Sequence, residues 1–242
     1  MQHLPTYVYL TLGATTLLSI WLFAKATNYS KPFLLGLGSW LVIQSALAIA
    51  GFYNDPATMA LRFPLLLFPT LLFILLCFIT SRGRSFIDNL DLPTLTIFQI
   101  IRMPVEFVLF WLFINNTIPE AMTFHGRNFD IISGITAPVV YYFGFVKNKL
   151  PQKVLLAWNF ICLALLMNIV VNALLSSPSP IQQFAFDQPN IAIFYFPFVW
   201  LPCCVVPLVL LSHLATIRQL LMKQAKKVEK KNIYTANIRL HH

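Results

Sequence analysis

The feature that most constrains this sequence is a series of apolar runs, each about 20 residues long and nearly free of charge. A helix needs about 20 such residues to cross the hydrocarbon core of a bilayer. Charged residues make up only 10% of the chain, against roughly a quarter in soluble domains. The chain therefore cannot cover a water-facing surface, which excludes soluble domains, disulfide-rich secreted scaffolds, disordered tails and free nucleic-acid-binding domains.

Seven of these runs are long enough, or nearly so, to span a membrane. They are residues 7–24, 32–51, 59–80, 92–114, 129–146, 154–175 and 191–211. Segments rich in charged and turn-forming residues separate them. The sequence thus predicts an all-α fold, a polytopic bundle of seven transmembrane helices over residues 1–211, followed by a basic amphipathic tail over 212–242. We expect the first run to be retained as a span, because no Lys or Arg precedes it as in a signal peptide.

The distribution of basic residues predicts the orientation of this bundle. Fourteen of the 17 Lys and Arg residues fall on one side, and they are Lys25, Lys31, Arg82, Arg84, Lys147, Lys149, Lys153, Arg218, Lys223, Lys226, Lys227, Lys230, Lys231 and Arg239. Because short cytoplasmic loops carry the excess of Lys and Arg, we expect the N-terminus outside and the C-terminus in the cytoplasm. The net charge of +9 then requires no nucleic-acid partner. We expect the basic tail to contact anionic lipids of the bilayer.

The fourth run contains the clearest polar group inside a predicted span. At 100° per residue, Gln99, Arg102 and Glu106 fall within about 60° of one another. Arg102 and Glu106 are therefore predicted to neutralise each other one turn apart, and Pro104 between them is expected to kink the helix. Ionisable groups inside a bilayer are functional-site candidates. The pair either fixes helix packing or lines a wet cavity that binds a polar ligand or relays protons.

More polar residues surround the predicted start of the fifth span and the outer half of the sixth. They are His125, Arg127, Asp130, Asn168 and Asn172. With the polar residues of the fourth span, they predict an outward-facing polar pocket between spans four, five, six and seven, with the loop over 176–190 as a candidate lid. Simpler interpretations remain open: Asp130 suits the positive end of a helix dipole, and the two asparagines suit interhelical hydrogen bonds.

Four short motifs carry a resemblance to known sequences. They are RMPVE at 102–106, GRNFD at 126–130, FAFDQPN at 184–190 and FPFVWLP at 196–202. With these motifs the chain resembles a group of uncharacterised bacterial seven-span membrane proteins over most of its length. The resemblance implies a bacterial inner membrane as the location, and it supplies no activity, catalytic residue or cofactor.

The preferred functional hypothesis is a transporter-like or receptor-like protein that binds a small polar or amphiphilic ligand. In this hypothesis Arg102 meets an anionic group, Glu106 balances it or exchanges a proton, and Arg127 and Asp130 lie at the entrance. Two alternatives remain: a membrane scaffold without a ligand, and a metal-dependent membrane hydrolase. The candidate metal ligands for the hydrolase are Glu106, Glu120, His125 and Asp130. No cofactor motif is present, so we expect no cofactor, and the balance leans away from an enzyme.

Overall fold

The computed structural model describes residues 4–55 and 59–240, with side-chain surroundings for 4–55 and 61–225. Every regular element in these ranges is a helix, in agreement with the predicted all-α class. The α-helices are α1 (Thr6–Ala26), α2 (Lys31–Ile49), α3 (Met59–Arg62), α4 (Pro64–Ile79), α5 (Ser81–Asp88), α6 (Leu92–Phe98), α7 (Arg102–Ile114), α8 (Ile131–Tyr141), α9 (Gln152–Ser176) and α10 (Val206–Leu240).

Several of these helical segments have the length and composition of membrane spans. Within the described ranges, five are long and apolar enough, and they are Thr6–Ala26, Lys31–Ile49, Leu92–Ile114, Gln152–Ser176 and Leu201–Ala225. Helices α4 and α5, which meet at an angle of 92°, add a sixth if the bent pair counts as one span. The fifth predicted span corresponds to a shorter apolar helix, Ile131–Val146. The molecule is an apolar helical bundle of the kind that membranes hold.

The fourth span is not one continuous α-helix. Asp91 caps its start, because the Asp91 carboxylate accepts a hydrogen bond from the N–H of Thr94 at 2.9 Å. A 3-10 turn over Gln99–Ile101 then separates α6 from α7. Pro104 has no N–H to donate to the carbonyl four residues earlier, so the backbone tightens just before α7 begins. Arg102 is the first residue of α7 and lies at this break.

The start of the last span differs from the sequence prediction. Residues 191–200 form a 3-10 turn and irregular backbone, and the helix begins only at Leu201. Pro197 and Pro202 explain the delay, because a proline supplies no backbone donor for a regular helix. The irregular segment is shielded by protein, since Phe194 and Val199 share an apolar cluster with Tyr53. Irregular backbone is tolerated at membrane depth only under such cover.

Helix α10 extends well past the predicted end of the membrane domain. Its backbone is helical from Val206 to Leu240, so the predicted boundary at residue 211 falls inside one helix. Ser212, His213 and Gln219 remain buried beyond that point. Lipid contacts of the basic tail, predicted over 212–242, stay a prediction, and the side chains at 226–242 lie outside the described residues.

Two close contacts set the position of the helices around Arg102. Helix α8 approaches α7 so closely that a Cβ added at Gly134 would lie 2.7 Å from the Met103 side chain and 2.9 Å from its backbone nitrogen. Ser133 and Ala137 are buried on the same face of α8, and small residues there allow the helices to approach closely. At the end of the bundle that carries Lys25 and Lys31, the N–H of Asp91 donates to the carbonyl of Ala26 at 3.0 Å. We call this end the basic end.

Candidate functional site

Arg102 forms a buried ion pair with Asp130. Its Nε and Nη2 atoms donate to the two carboxylate oxygens of Asp130, and the two side chains are only 3% and 7% exposed. The predicted pairing of Arg102 with Glu106 is therefore wrong. The close contact at Gly134 brings the start of α8 to the start of α7, where the two oxygens of Asp130 match the planar guanidinium fork.

The guanidinium group of Arg102 has no donor left for a ligand. Beyond the two bonds to Asp130, Nη1 and Nη2 donate to the carbonyl oxygen of Cys162 at 3.2 and 3.1 Å. Nη1 also lies 3.2 Å from Nε2 of His213. Arginine carries five N–H donors, and each of them has an acceptor here. Arg102 is thus satisfied entirely by the chain itself.

These contacts determine which nitrogen of His213 carries the proton. Arginine only donates, so His213 Nε2 must accept, and the hydrogen lies on Nδ1. His213 Nδ1 then donates to the side-chain oxygen of Asn159 at 3.0 Å. The amide nitrogen of Asn159 in turn donates to the carbonyl of Leu155 at 2.9 Å. The chain of bonds requires a neutral imidazole, because a protonated ring would direct a donor at a donor.

Glu106 is connected to the ion pair through Asn128. The Asn128 amide donates to Glu106 Oε1 and to the carbonyl of Met122, while its oxygen accepts from the N–H of Asp130 at 3.0 Å. Arg102, Glu106, Asn128, Asp130, Asn159 and His213 therefore form one hydrogen-bonded set, which we call the Arg102 network. The other carboxyl oxygen of Glu106, Oε2, is buried and has no hydrogen-bond partner among the described residues.

Glu106 also borders a cavity of about 80 Å³ between α4, α7, α9 and the segment before α10. Among the described residues that line this cavity, every other side chain is apolar. The polar pocket predicted between spans four, five, six and seven stays a prediction, because this cavity contributes one polar side chain to it. Arg102 and Asp130 are turned toward each other in the interior, which leaves a single carboxyl group on an apolar wall. We call this space the Glu106 cavity.

The other predicted pocket residues lie outside the Arg102 network. Gln99 donates to the hydroxyl of Ser212 and so ties the fourth span to α10. Asn168 donates to the backbone carbonyl of Arg127 at 2.7 Å, and Asn172 donates to the carbonyl of Asn168 at 2.9 Å. Asn168 thus joins α9 to the loop before α8, and Asn172 bonds within α9, so these described bonds are not the interhelical ones that the simpler prediction expected.

His125 and Arg127 lie at the surface rather than inside a pocket. His125 is exposed, and its ring packs against Phe110 at a centroid distance of 5.0 Å. The exposed Arg127 guanidinium lies 5.9 Å from the centre of the Phe184 ring, which belongs to the loop over 177–190. Gln188 fixes the end of that loop by donating to the carbonyls of Phe113 and Ile118 at 3.0 and 2.6 Å. The loop thus covers the end of the bundle opposite the basic end.

The candidate metal ligands are not brought together. Glu120 and His125 are exposed, whereas Glu106 and Asp130 are buried. The described residues contain no group of three or more His, Cys, Asp or Glu side chains that could hold a metal ion. The described part of the chain therefore offers no ligand set for the hydrolase alternative.

Sequence reasoning missed Asn128, Asn159 and His213 as members of the central network. Asn159 lies on α9 and His213 on α10, so no spacing along one helix relates either of them to Arg102. A comparison of depth along the spans is the signal that finds Asn159. Arg102 lies ten residues after the start of α6, and Asn159 lies seven residues after the start of α9, so both are about 10–15 Å from the basic end.

Comparison with known proteins identifies one family. A model described as Domain of unknown function (DUF8737) matches residues 60–221. This range includes the complete Arg102 network and the Glu106 cavity. Comparisons with curated proteins and with solved structures found no match. Because the family model covers well over half of the chain, this protein belongs to the DUF8737 family.

Proposed function

We propose that this protein is a membrane protein that binds a small amphiphilic molecule through Glu106. One observation carries the proposal: Glu106 Oε2 is buried without a partner among the described residues, at the wall of an otherwise apolar cavity. A carboxylate removed from water is strongly disfavoured unless it meets a cation or hydrogen-bond donors. A ligand with an apolar body and a donating head group satisfies both the cavity and the carboxyl group.

The charges around the cavity favour a cationic head group over an anionic one. Asp130 balances the charge of Arg102, whose five donors are all used within the chain. Glu106 has no ion-pair partner among the described residues. An anionic ligand would find no free donor on Arg102 and would be repelled by Glu106. An alkylammonium group instead supplies the missing cation and up to three N–H donors.

The volume of the Glu106 cavity limits the apolar part of the ligand. An engineered cavity of roughly 150 Å³ holds benzene, which has six carbon atoms. A cavity of about 80 Å³ therefore holds about three or four heavy atoms. Butylamine is accordingly a suitable probe, because its chain fits this space and its amine is protonated at neutral pH.

A thermal-stability experiment with butylamine tests this proposal. A ligand that binds only the folded state stabilises it by about 2.7 kcal/mol at 100 times its Kd. We expect butylamine to raise the Tm of the wild-type protein in detergent. Glu106→Gln removes the charge and Ala173→Leu fills the cavity, so both variants should lose the shift. Ala157→Leu is the matched control, because Ala157 lies on the same helix, is exposed and does not line the cavity.

Three outcomes of this experiment contradict the proposal. In the first, butylamine leaves the wild-type Tm unchanged at concentrations that do not disturb the detergent. In the second, Glu106→Gln retains the wild-type shift, which would show that the carboxyl group is not the binding group. A shift that persists in Ala173→Leu would place the ligand elsewhere.

A scaffold without a ligand is the second candidate function. The observation that favours it is the complete use of the Arg102 donors within the chain, because a self-satisfied network needs no ligand to hold the helices together. If the protein is only a scaffold, filling the cavity with Ala173→Leu should keep or raise the Tm, and butylamine should have no effect on any variant.

We further propose seven spans in a bacterial inner membrane, with the N-terminus outside and the C-terminus in the cytoplasm. The support is the concentration of Lys and Arg at the basic end. Labelling of single cysteines in intact cells tests this topology, and the four native cysteines are buried. Ile181→Cys should react with a membrane-impermeant maleimide, and Lys149→Cys should not; both positions are exposed. The reverse pattern would invert the orientation.

A further inference from the structure

A second and larger cavity lies between α2, α4 and α10. Its volume is about 290 Å³, and it is lined by residues between Pro32 and Trp40 on α2, between Pro69 and Ile74 on α4, and between Cys203 and Leu211. Helix α2 is the least buried of the five long helices, with 17% of its apolar stretch covered by protein. Leu35 and Phe73 beside the cavity are exposed, so it opens on the surface that faces lipid. We call it the α2–α4 groove.

Three basic residues lie on the two elements, α2 and α5, that Phe33 joins beside this groove. Phe33 is in the groove wall, and its ring packs against Phe73 of α4 and Phe86 of α5 at centroid distances of 6.2 and 5.5 Å. These contacts bring the start of α2, where Lys31 lies, to the short helix α5, which carries Arg82 and Arg84. All three basic side chains are exposed, and within the described part of the chain none forms an ion pair.

The geometry of α5 suits a position at the membrane surface. It turns by 92° from α4, so it lies along the membrane plane if α4 crosses the bilayer. Ile87 is buried and Phe86 half-buried, while Ser81, Arg82 and Arg84 are exposed. A short helix with one apolar and one basic face is typical of the boundary between head groups and acyl chains.

We propose that the α2–α4 groove holds one acyl chain of an anionic phospholipid, whose phosphate group is bound by Lys31, Arg82 and Arg84. From Pro32 to Trp40 the groove follows α2 for about 12 Å, which is close to the roughly 15 Å depth of one leaflet. Scaled from the roughly 150 Å³ that holds benzene, the volume accommodates about a dozen carbon atoms. The apolar walls take the chain, and the cations beside the groove take the head group.

Charge argues against a second copy of this chain as the occupant. Most homo-oligomers are two-fold symmetric, and such an interface places the same surface of both copies face to face. Symmetric packing across this groove would bring the cations of one copy close to those of the other. A phosphate-bearing lipid instead compensates these charges.

Two glycines of α2 provide a matched pair of variants for the test. Gly36 lines the groove and Gly38 does not, although both are exposed on the same helix. A Cβ added at either position meets no atom within 4 Å. Gly36→Leu therefore extends a side chain into the groove, whereas Gly38→Leu makes the same chemical change outside it. Both changes favour helix formation, so loss of folding is not expected from either.

The test is native mass spectrometry of the full chain in detergent, with phosphatidylglycerol or phosphatidylcholine added. We expect wild type and Gly38→Leu to hold one phosphatidylglycerol more tightly than phosphatidylcholine, and Gly36→Leu to lose at least about five-fold in affinity for phosphatidylglycerol. Arg82→Gln with Arg84→Gln should remove the preference for phosphatidylglycerol, since each cation near an anionic lipid contributes on the order of five-fold.

Three results would overturn this inference. The first is equal lipid binding by the Gly36→Leu and Gly38→Leu variants, which would place the lipid outside the groove. The second is equal affinity of the wild type for the two lipids, which would remove the role of the cations. The third is a dimer that Gly36→Leu dissociates and Gly38→Leu does not, which would assign the groove to a second copy of the chain.

Discussion

Replacing Asp130 with asparagine should strongly destabilise the folded protein. Asp130 is the only carboxylate paired with Arg102 among the described residues, and neither side chain has access to water that could compensate for its loss. Removal of one partner from a buried pair leaves an uncompensated charge and costs about 3–5 kcal/mol. The other contacts of Arg102, to a carbonyl oxygen and an imidazole, are neutral and cannot balance it. We therefore expect a loss of about 3–5 kcal/mol for Asp130→Asn.

The ion pair between Arg218 and Asp88 is the matched control. It also joins distant parts of the chain through two hydrogen bonds, of 2.7 and 3.0 Å. Its side chains are 28% and 27% exposed, against 3% and 7% in the Arg102 pair. Solvent screens such a pair, and exposed ion pairs contribute about 0–1 kcal/mol. Asp88→Asn should thus destabilise the protein by no more than about 1 kcal/mol.

The assay is reversible unfolding by SDS in mixed micelles, followed by circular dichroism. The double variant Arg102→Met with Asp130→Asn should be more stable than Asp130→Asn alone, because it removes the stranded charge together with its partner. Our reasoning is refuted if Asp130→Asn and Asp88→Asn destabilise the protein equally. It is also refuted if the losses from the two single changes at the Arg102 pair simply add in the double variant, since that would show that the two groups do not interact.

Three further predictions follow from the same contacts. Gly134→Ala should lower the free energy of unfolding by about 1–3 kcal/mol, because its added Cβ clashes with Met103 in the first turn of α7. Gly13→Ala, with no atom within 4 Å of the added Cβ, should be neutral or stabilising in the same SDS assay. His213→Leu should cost about 1–3 kcal/mol, because it removes the acceptor of one buried N–H; a loss below about 0.5 kcal/mol would show that water replaces the imidazole. Glu106→Gln should destabilise the protein much less than Asp130→Asn in that assay, since Glu106 is not the ion-pair partner of Arg102. Equal losses of stability would instead support the pairing of Arg102 with Glu106 that the sequence predicted.

The overall architecture was largely predictable from the sequence. The apolar runs determine where helices form, since few other structures satisfy the backbone of such segments in a membrane. The small residues Ser133, Gly134 and Ala137 form the face on which α8 packs closely. The start of the last span was less predictable, because hydropathy measures composition and not backbone hydrogen bonding. Residues 191–200 are apolar enough for a helix, but Pro197 and the shielding by the rest of the fold make them irregular.

The site was predictable in its residue types and not in its partners. Arg102 and Glu106 appeared paired because spacing along one helix is visible in the sequence. Asp130 lies beyond an irregular loop. It pairs with Arg102 instead, because its two carboxylate oxygens accept hydrogen bonds from Nε and Nη2 of the guanidinium group. Helical periodicity cannot describe the path of a loop, so the role of Asn128 between Asp130 and Glu106 was invisible as well.

The most direct test of our central claim compares two ligands of the same chain length on the wild-type protein. The claim is that Arg102 is fully neutralised within the chain and that Glu106 is the group left to meet a ligand. Titration calorimetry with butylamine and with butanoate, at neutral pH in the same detergent, measures the two affinities side by side. Our account predicts that butylamine binds at least about ten-fold more tightly, a difference of about 1.4 kcal/mol. Butanoate binding as tightly as butylamine, or more tightly, would show that Arg102 is free to receive an anion and would contradict the account.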